Sequence, residues 1–321
     1  MVTLEGQDRA IRRFREALDS GALHHAWLLA GPRGVGKATF ARLAAARLLA
    51  QAADPTVTLP GIATSDDHPI ARYLAAGSHP DFRWVEREFN DKGDALRRNI
   101  SVDQVRKLGT FFNSTTSLSP WRAVVIDSVD DLEREGANAL LKMLEEPPAN
   151  SLFLLVAHNP GRLLPTIRSR CRRLDFQTLN DDAMTSVLRR ELPQATDDDI
   201  TRLVCIADGS VGRALAFARL DLAPLESAAL AILRDGDPTN ARRSNLGHGL
   251  TGKAGANRFA AFLQLVPSLI AREARHLGGA RQARALDAYA KARETAAIAQ
   301  RLSLDPAATA FQLGTILAAI S

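Results

Sequence analysis

Residues 26–46 read AWLLAGPRGVGKATFARLAAA, and this stretch decides the fold of the first part of the chain. The apolar run Ala26–Ala30 is typical of a buried parallel strand, and the alanine-rich segment after it predicts a helix. Glycines between such elements let backbone N–H groups turn inward around phosphate oxygens, and a lysine at the helix start adds positive charge. The candidate phosphate-binding residues are Gly31, Gly34, Gly36 and Lys37. The sequence therefore predicts a P-loop nucleotide-binding domain.

The residue after the P-loop lysine departs from the motif. The motif has Ser or Thr there, whose hydroxyl binds Mg²⁺, but this chain has Ala38, which carries no side-chain oxygen. Thr39 follows, but one residue along a helix is about 100° of rotation, so we expect its hydroxyl to point elsewhere. The loop can hold the phosphates of ATP or ADP, while its metal site is weakened.

A second candidate group follows the β-branched run AVVI and ends a predicted strand at Asp127. A carboxylate at the end of a strand beside the P-loop strand can orient Mg²⁺. In P-loop proteins that hydrolyse ATP, the next residue is a glutamate that activates water, but here it is Ser128. We interpret Asp130 and Asp131 as helix caps or surface charges. With both the metal hydroxyl and the water-activating carboxylate missing, little or no ATP turnover by this chain alone is predicted.

Strands alternate with helices up to residue 177. This alternation predicts an α/β domain with a parallel sheet and helices on both faces. Ser101 and Gln104 fit a capping box at the start of one helix, and the polar residues 91–99 predict a loop. The further strands are predicted at Phe82–Glu86, Arg122–Asp127, Ser151–Ala157 and 173–176.

After residue 177 the strand pattern stops. Short helices are predicted over 181–191, 196–207 and 212–219, and helices continue from residue 224. The segment 236–256 contains five glycines and predicts a long loop. A single core rarely grows beyond roughly 250 to 300 residues, so a chain of 321 residues is expected to form several domains. The pattern places them at 1–177, 178–222 and 223–321.

The composition argues against several classes of protein. No apolar run reaches the roughly 18 to 20 residues that span a bilayer, and charges interrupt the N-terminal segment where a signal peptide is apolar, so we expect a cytoplasmic protein without a membrane partner. Cys171 and Cys205 give no spacing for a disulfide framework or a zinc site, and we expect both to be small buried side chains. Residues 223–321 carry 12 Lys and Arg against 7 Asp and Glu. This excess fits an acidic partner or nucleic acid, and equally a solvated helical surface.

Several segments occur in an order that is itself informative: GPRGVGK, AVVID, LLKMLEEPP (140–148), FLLVAHNP (153–160) and Ser169-Arg170-Cys171. In this order they resemble the AAA+ clamp-loader family of bacterial DNA polymerase III, and its δ′ type in particular. The resemblance covers roughly residues 6–213, and LLKMLEEPP together with Ser-Arg-Cys is highly specific. It implies an AAA+ domain, a small helical lid domain and a helical collar domain through which subunits assemble.

The resemblance also assigns roles. It implies that Arg170 is an arginine finger that reaches the ATP of a neighbouring subunit, since a planar guanidinium can bridge two phosphate oxygens. Asn159 matches the position called sensor 1, and Arg213 matches the start of the sensor 2 helix, facing this chain's own phosphates. Taken alone, Arg170 is also consistent with a surface arginine in a basic loop, and Arg213 with a surface arginine at a helix start. The implied partners are the τ/γ and δ subunits and, through the complex, the β sliding clamp and primed DNA.

One feature of that family is missing. Members of the δ′ and τ/γ types often carry four zinc-binding cysteines after the P-loop helix, but residues 51–79 contain none. His68 and His79 alone cannot make a tetrahedral structural site, so we predict no zinc. We expect this region to be held by packing instead, through Leu59, Ile62, Ile70 and Tyr73. ATP or ADP in the degenerate P-loop is then the one cofactor to consider.

Two other functions are open. The first is a catalytically active τ/γ-type clamp-loader ATPase, although Ala38 and Ser128 argue against an active motor. A P-loop phosphotransferase acting on a small molecule needs an acceptor pocket and an intact metal site. The Ser-Arg-Cys motif and the three-domain layout have no role in such an enzyme.

Overall fold

The predicted strand Ala26–Ala30 is β1 of a five-stranded parallel sheet in the computed structural model, which describes residues 4–57, 59–93, 96–220 and 222–321. The strands are β1 (Ala26–Ala30), β2 (Phe82–Glu86), β3 (Arg122–Asp127), β4 (Ser151–Ala157) and β5 (Arg172–Asp175). They lie in the order β2-β3-β4-β1-β5, and every pairing is parallel. Ala30 pairs with Ala157 and Asp127 with Val156, so β1, β3 and β4 end at the same edge.

Helices cover both faces of the sheet. The first unit of the chain, Met1–Leu179, contains α1 (Asp8–Asp19), α2 (Lys37–Ala53), α3 (Pro69–Ala75), α4 (Val102–Asn113), α5 (Arg134–Glu145) and α6 (Pro165–Ser169). On one face, Leu28 of β1 belongs to a buried cluster with Leu108 of α4 and Leu140 of α5. On the other face, the ring of Trp27 lies 5.4 Å from that of Phe14 in α1. The predicted P-loop α/β architecture is thus confirmed.

The second unit, Asn180–Ser321, is helical, and its described residues contain no strand. Its helices are α7 (Asp181–Glu191), α8 (Asp197–Ala207), α9 (Val211–Ala218), α10 (Ala223–Asp235), α11 (Ala241–Leu246), α12 (Gly252–Ala274), α13 (Gly279–Leu302) and α14 (Pro306–Ala318). The three short helices predicted after residue 177 are therefore present. A further domain boundary near residue 222 remains a prediction, and residue 221 lies outside the described residues.

The predicted long loop over 236–256 is wrong in part, because α11 lies within it and α12 begins at Gly252. The buried carboxylate of Asp237 explains the extra helix. It accepts hydrogen bonds from the backbone N–H groups of Arg242 (3.3 Å) and Arg243 (2.9 Å) in the first turn of α11. It also accepts one from Nε of Arg243 at 3.1 Å. A side chain that satisfies free N–H groups at a helix start stabilises that helix, even beside several glycines.

The capping box is confirmed at the start of α4. The backbone N–H of Gln104 donates to Oγ of Ser101, and the side-chain oxygen of Gln104 accepts from the N–H of Ser101 at 3.0 Å. The other predicted loop, 91–99, includes residues 94 and 95, which lie outside the described residues.

The region without cysteines is held differently from our expectation. Ile62 and Ile70 are buried as expected, but Tyr73 is 45% exposed. Two arginines that the sequence analysis did not predict to be structural donate hydrogen bonds to backbone carbonyl groups of this region. Nη1 of Arg15 donates to the carbonyls of Leu59 (3.2 Å) and Gly61 (2.8 Å), and Nη1 of Arg47 donates to that of Ala63 at 3.0 Å. Guanidinium–carbonyl bonds from α1 and α2 therefore add to the packing, since each arginine can satisfy several carbonyl groups.

Two further expectations can be compared with the structure. Cys171 is partly buried, but Cys205 is exposed, because it lies between the inward-facing Val204 and Ile206 of α8. Among the helices of the described residues, none combines the length and the apolar character needed to cross a membrane.

Candidate functional site

The P-loop adopts a conformation that depends on its glycines. Gly31, Gly34 and Gly36 have φ values of 153°, 75° and 99°. Gly31 also has no room for a side chain, because a Cβ atom there would lie 2.2 Å from the backbone oxygen of Phe176. The loop connects β1 directly to the first turn of α2, so the N-terminus of α2 points at its centre. Such a loop is a binding site for anions such as phosphate.

Lys37 lies at the centre of the loop and is 2% exposed. Its ammonium donates to the carbonyl oxygens of Gly31 (2.6 Å) and Pro32. Burial lowers the pKa of Lys37 to about 8, and the carboxylates of Asp127 and Asp130 only partly oppose this shift. A buried ammonium held by carbonyl groups can turn to a phosphate oxygen, which carries the full negative charge that the carbonyls lack. The residues of the loop therefore suit a phosphate group.

The residues of the P-loop suit a resident Mg²⁺ ion less well than they suit a phosphate group. Ala38 carries no oxygen at the position where the motif supplies a ligand, and Thr39 is the next, partly buried residue of α2. The described residues contain no group of three or more His, Cys, Asp or Glu side chains arranged to hold a metal ion. The side chains at this position therefore do not fit a resident metal ion.

Asp127 ends β3 as predicted, but the expectation that this strand lies beside the P-loop strand is wrong, because β4 lies between β3 and β1. Burial and the charge of Glu86 raise its pKa, while Lys37 and Arg33 act in the opposite direction. Asp127 and Arg33 share a cavity of about 580 Å³. The residues lining that cavity are Arg33, Glu86, Arg87, Glu88, Phe89, Leu96, Asp127, Ser128, Asp131 and His158. The cavity carries acidic and basic side chains together, and Ser128 stands where a water-activating glutamate is expected.

Asp130 has a role that the sequence did not reveal. We interpreted it as a cap or surface charge, but its carboxylate joins the ends of two strands. It accepts hydrogen bonds from the backbone N–H groups of His158 and Asn159 (3.1 Å), which follow β4, and from Oγ of Ser128 (3.2 Å), which follows β3. Asp131 is closer to the surface charge that we predicted, since it forms a partly exposed ion pair with Arg87 at 3.2 Å.

Asn159 follows β4 at the predicted sensor 1 position, and its side chain is exposed. Its neighbour His158 lines the cavity with Asp127, whereas Asn159 is not among the described residues that do. Burial lowers the pKa of His158 to about 4, and the charges of Lys37 and Arg33 add to this shift. His158 is therefore neutral at pH 7. Its position directly after the buried strand β4 was the signal that could have identified it.

A second residue missing from the sequence prediction is Gln7, which is 4% exposed. Its Nε2 donates to the carbonyl oxygens of Val35 in the P-loop (3.1 Å) and Gln177 after β5 (2.8 Å). The N–H of Gln177 donates back to Oε1 of Gln7 at 3.4 Å. Gln7 thereby fixes the P-loop to the edge strand. No local sequence pattern indicates it, because its partners lie 28 and 170 residues away.

Arg170 follows α6 and lies apart from the hydrogen bonds that hold the P-loop. Its two neighbours in the motif are anchored, since Oγ of Ser169 donates to the carbonyl of Thr166 at 3.1 Å and Cys171 packs against the core cluster. Burial raises the pKa of the Cys171 thiol to about 12, so it remains protonated and apolar. The guanidinium of Arg170 is one-third exposed and forms an ion pair with Glu145.

Arg213 belongs to the second unit. It lies in the first turn of α9, where its N–H donates to Oγ of Ser210 at 3.2 Å. Its Nη1 donates to Oγ of Ser268 in α12 at 2.9 Å. Burial lowers the pKa of the Arg213 guanidinium, which stays charged at pH 7. A role for Arg213 toward phosphates remains a prediction.

Sequence comparisons with known proteins match subunits of DNA polymerase III. Residues 6–180 match the family described as DNA polymerase III, delta subunit. The delta′ subunit of DNA polymerase III from Pseudomonas aeruginosa is 37% identical over 187 residues, which cover 58% of this chain and 53% of that protein. The gamma/tau subunit of DNA polymerase III from Mycobacterium tuberculosis is 33% identical over 211 residues, which cover 65% of this chain and 34% of that protein.

The chain thus spans between about a third and a half of the length of these two relatives. Among solved structures, a DNA polymerase III gamma subunit-related protein from Thermotoga maritima is similar, with 15% identity and a TM-score of 0.46. The match covers 96% of this chain and 98% of that one.

Proposed function

This chain belongs to the DNA polymerase III delta subunit family, and we propose that it works as a δ′-type subunit of a clamp loader, supplying an arginine finger to a neighbouring ATPase subunit. The observation that carries this proposal is the construction of the Ser169-Arg170-Cys171 segment. Its cysteine is packed against the core, and its arginine is presented at the surface. Such a guanidinium can reach a ligand held by another chain without a change of fold.

The chain's own P-loop also supports a subunit that assists catalysis at a neighbouring site and not at its own. It has the glycine conformations and the lysine that hold phosphate, yet Ala38 and Ser128 lack the groups that bind the metal and activate water. A general base and a metal ion each contribute large factors to phosphoryl transfer. We therefore propose that this site binds ATP or ADP without turning it over. We also propose that residues 51–79, which contain no cysteine, hold no zinc.

In the assembled complex, Arg170 would lie against the phosphates of ATP bound by a τ/γ subunit. Charge builds up on the phosphoryl oxygens in the transition state, and a guanidinium that bridges two of them stabilises that charge. An arginine supplied in trans typically contributes a factor of about 10³ to 10⁵ to turnover at its site. This chain would then act as a fixed member of the ring that completes catalysis elsewhere.

The remaining parts of the proposal concern partners and location. We propose that residues 178–222 form the lid and residues 223–321 the collar that assembles with τ/γ and δ subunits. The complex would load a sliding clamp onto primed DNA, in the cytoplasm. The excess of basic residues after residue 223 suits either DNA or an acidic neighbour.

The experiment that tests the finger replaces Arg170 with alanine in the reconstituted complex. We expect the DNA-stimulated ATPase to fall while assembly is unchanged, because the site completed by this chain loses its guanidinium. Arg168→Ala is the matched control, since Arg168 is an exposed arginine two residues away. Equal rates for wild type, Arg168→Ala and Arg170→Ala would reject the role.

A second function, the active τ/γ type, is favoured by the similarity to the gamma/tau subunit of Mycobacterium tuberculosis. The two proposals differ in the ATPase activity of the isolated chain. A δ′-type subunit gives turnover at the background level, whereas a motor subunit gives turnover near that of an ordinary AAA+ ATPase. The second result would replace our proposal with the τ/γ function.

A further inference from the structure

The guanidinium of Arg170 is engaged within its own subunit. Nη2 forms an ion pair with Oε1 of Glu145 at 2.8 Å, and Nη1 donates to the carbonyl oxygen of Thr166 at 2.9 Å. The Arg170 side chain is 33% exposed and that of Glu145 is 48% exposed. One N–H donor on each terminal nitrogen is therefore engaged within the subunit, by groups that solvent and other ligands can reach.

Both partners of this ion pair are held by rigid elements. Glu145 is the last residue of α5, directly after the buried Leu144, whose carbonyl accepts a hydrogen bond from Nε2 of His25 at 3.1 Å. Arg170 follows α6 between the buried Ile167 and the core-packed Cys171. The backbone at both ends is thus fixed, so the pair costs less side-chain entropy than a contact between two mobile surface chains.

We infer that Glu145 is a positioning residue that holds Arg170 on its own subunit until an anion of the neighbour displaces it. This inference rests on the proposed arginine-finger function. A phosphate that takes two N–H donors of the guanidinium, one on each terminal nitrogen, must displace Glu145 from Nη2 and the carbonyl of Thr166 from Nη1. The phosphates of ATP carry more charge than one carboxylate, so they win when the neighbouring site is loaded and close. Glu145 thereby makes engagement of the finger conditional on ATP.

The expected size of the effect follows from the exposure of the pair. Partly exposed ion pairs shift an equilibrium by a modest factor, and the apparent affinity of a ligand falls by the fraction of protein that is competent to bind it. Removing the carboxylate charge without changing the side-chain shape is therefore expected to raise kcat/KM for ATP at the completed site by about two- to fivefold.

The test uses the complete complex, with Glu145→Gln compared with wild type. To isolate the relevant site, the other ATPase subunits carry substituted P-loop lysines. Glu146→Gln is the matched control, because it removes the same charge from the next residue, which is also exposed. We expect kcat/KM to rise for Glu145→Gln and to stay at the wild-type value for Glu146→Gln. Thermal unfolding of each variant checks that its fold is unchanged.

A double variant separates this role from a structural one. If Glu145 acts only through Arg170, Glu145→Gln has no effect in an Arg170→Ala background. An increase that persists without Arg170 would overturn the inference, as would an unchanged or lower kcat/KM for Glu145→Gln in a complex that Arg170→Ala does impair. If Arg170→Ala itself leaves the ATPase unchanged, the arginine finger is rejected and the role of Glu145 is rejected with it.

Discussion

Replacing Asp130 with alanine removes the carboxylate that joins the ends of β3 and β4, so we expect it to destabilise the first unit. Three donors lose their acceptor: the backbone N–H groups of His158 and Asn159 and the hydroxyl of Ser128. These residues lie beside the P-loop, and the cavity wall contains two of them. The change therefore tests whether the strand ends that form the candidate site depend on one side chain.

The magnitude follows from the bonds that are lost. A hydrogen bond to a charged group contributes about 1.5–3 kcal/mol, and a buried donor left without a partner adds a penalty. Asn159 is exposed, so water can replace the acceptor there, whereas the N–H of His158 lies at a buried strand end. We expect Asp130→Ala to lower the free energy of unfolding by about 2–4 kcal/mol. Asp130→Asn keeps one acceptor oxygen, and we expect about half of that loss.

The assay is urea unfolding followed by tryptophan fluorescence. All three tryptophans, Trp27, Trp84 and Trp121, lie in Met1–Leu179, so the signal reports the first unit alone. The matched control is Asp131→Ala, which removes an adjacent carboxylate that forms one partly exposed ion pair. Its expected cost is below about 1 kcal/mol. Equal losses for the two variants, or a loss below about 1 kcal/mol for Asp130→Ala, would refute this account of the strand ends.

Two further predictions use the same assay. Gly31→Ala places a Cβ atom 2.2 Å from the oxygen of Phe176, and we expect a loss of about 3 kcal/mol or more, whereas Gly77→Ala, at a φ of 67° in open space, costs about 1 kcal/mol. Similar losses for the two would contradict the close packing at Gly31. Lys37→Met removes an ammonium whose pKa is lowered from 10.5 to about 8. Between these two pH values the unfolded state keeps the proton while the folded state releases it. The free energy of unfolding of wild type therefore rises by up to about 3 kcal/mol relative to the variant as the pH rises through this window. Below pH 8 the difference between the two proteins does not change with pH. A difference in unfolding free energy that does not change with pH would contradict the burial of the charge.

The parts of the fold that the sequence predicted have local signals. The P-loop glycines, the β-branched run before Asp127 and the capping box at Ser101 each occupy a few adjacent residues. Periodicity also predicted the strands and most helices, since a buried strand or an amphipathic helix repeats its pattern within one element. The Ser-Arg-Cys motif identified Arg170 because the triplet occurs with other segments in a fixed order.

The parts that the sequence did not predict depend on contacts between distant residues. Asp130 contacts residues 28 and 29 positions later, and Gln7 contacts Gln177 across most of the first unit. Helix α11 is an exception, because Asp237 lies only five and six residues before the N–H groups that it satisfies; the glycines of residues 236–256 outweighed this local signal. For Asp130 and Gln7, a single polar side chain satisfies backbone groups of a distant segment, and sequence spacing carries no trace of such a pairing.

The most direct test of the proposed δ′-type function is clamp loading itself. The τ/γ, δ and β subunits from the same organism are combined with primed DNA and ATP, and loaded clamps are counted with and without this chain. We predict that the chain co-purifies with τ/γ and δ, and that loading is slow without it and rapid when it is added. Equal loading in its absence, or failure to assemble with these subunits, would contradict the account.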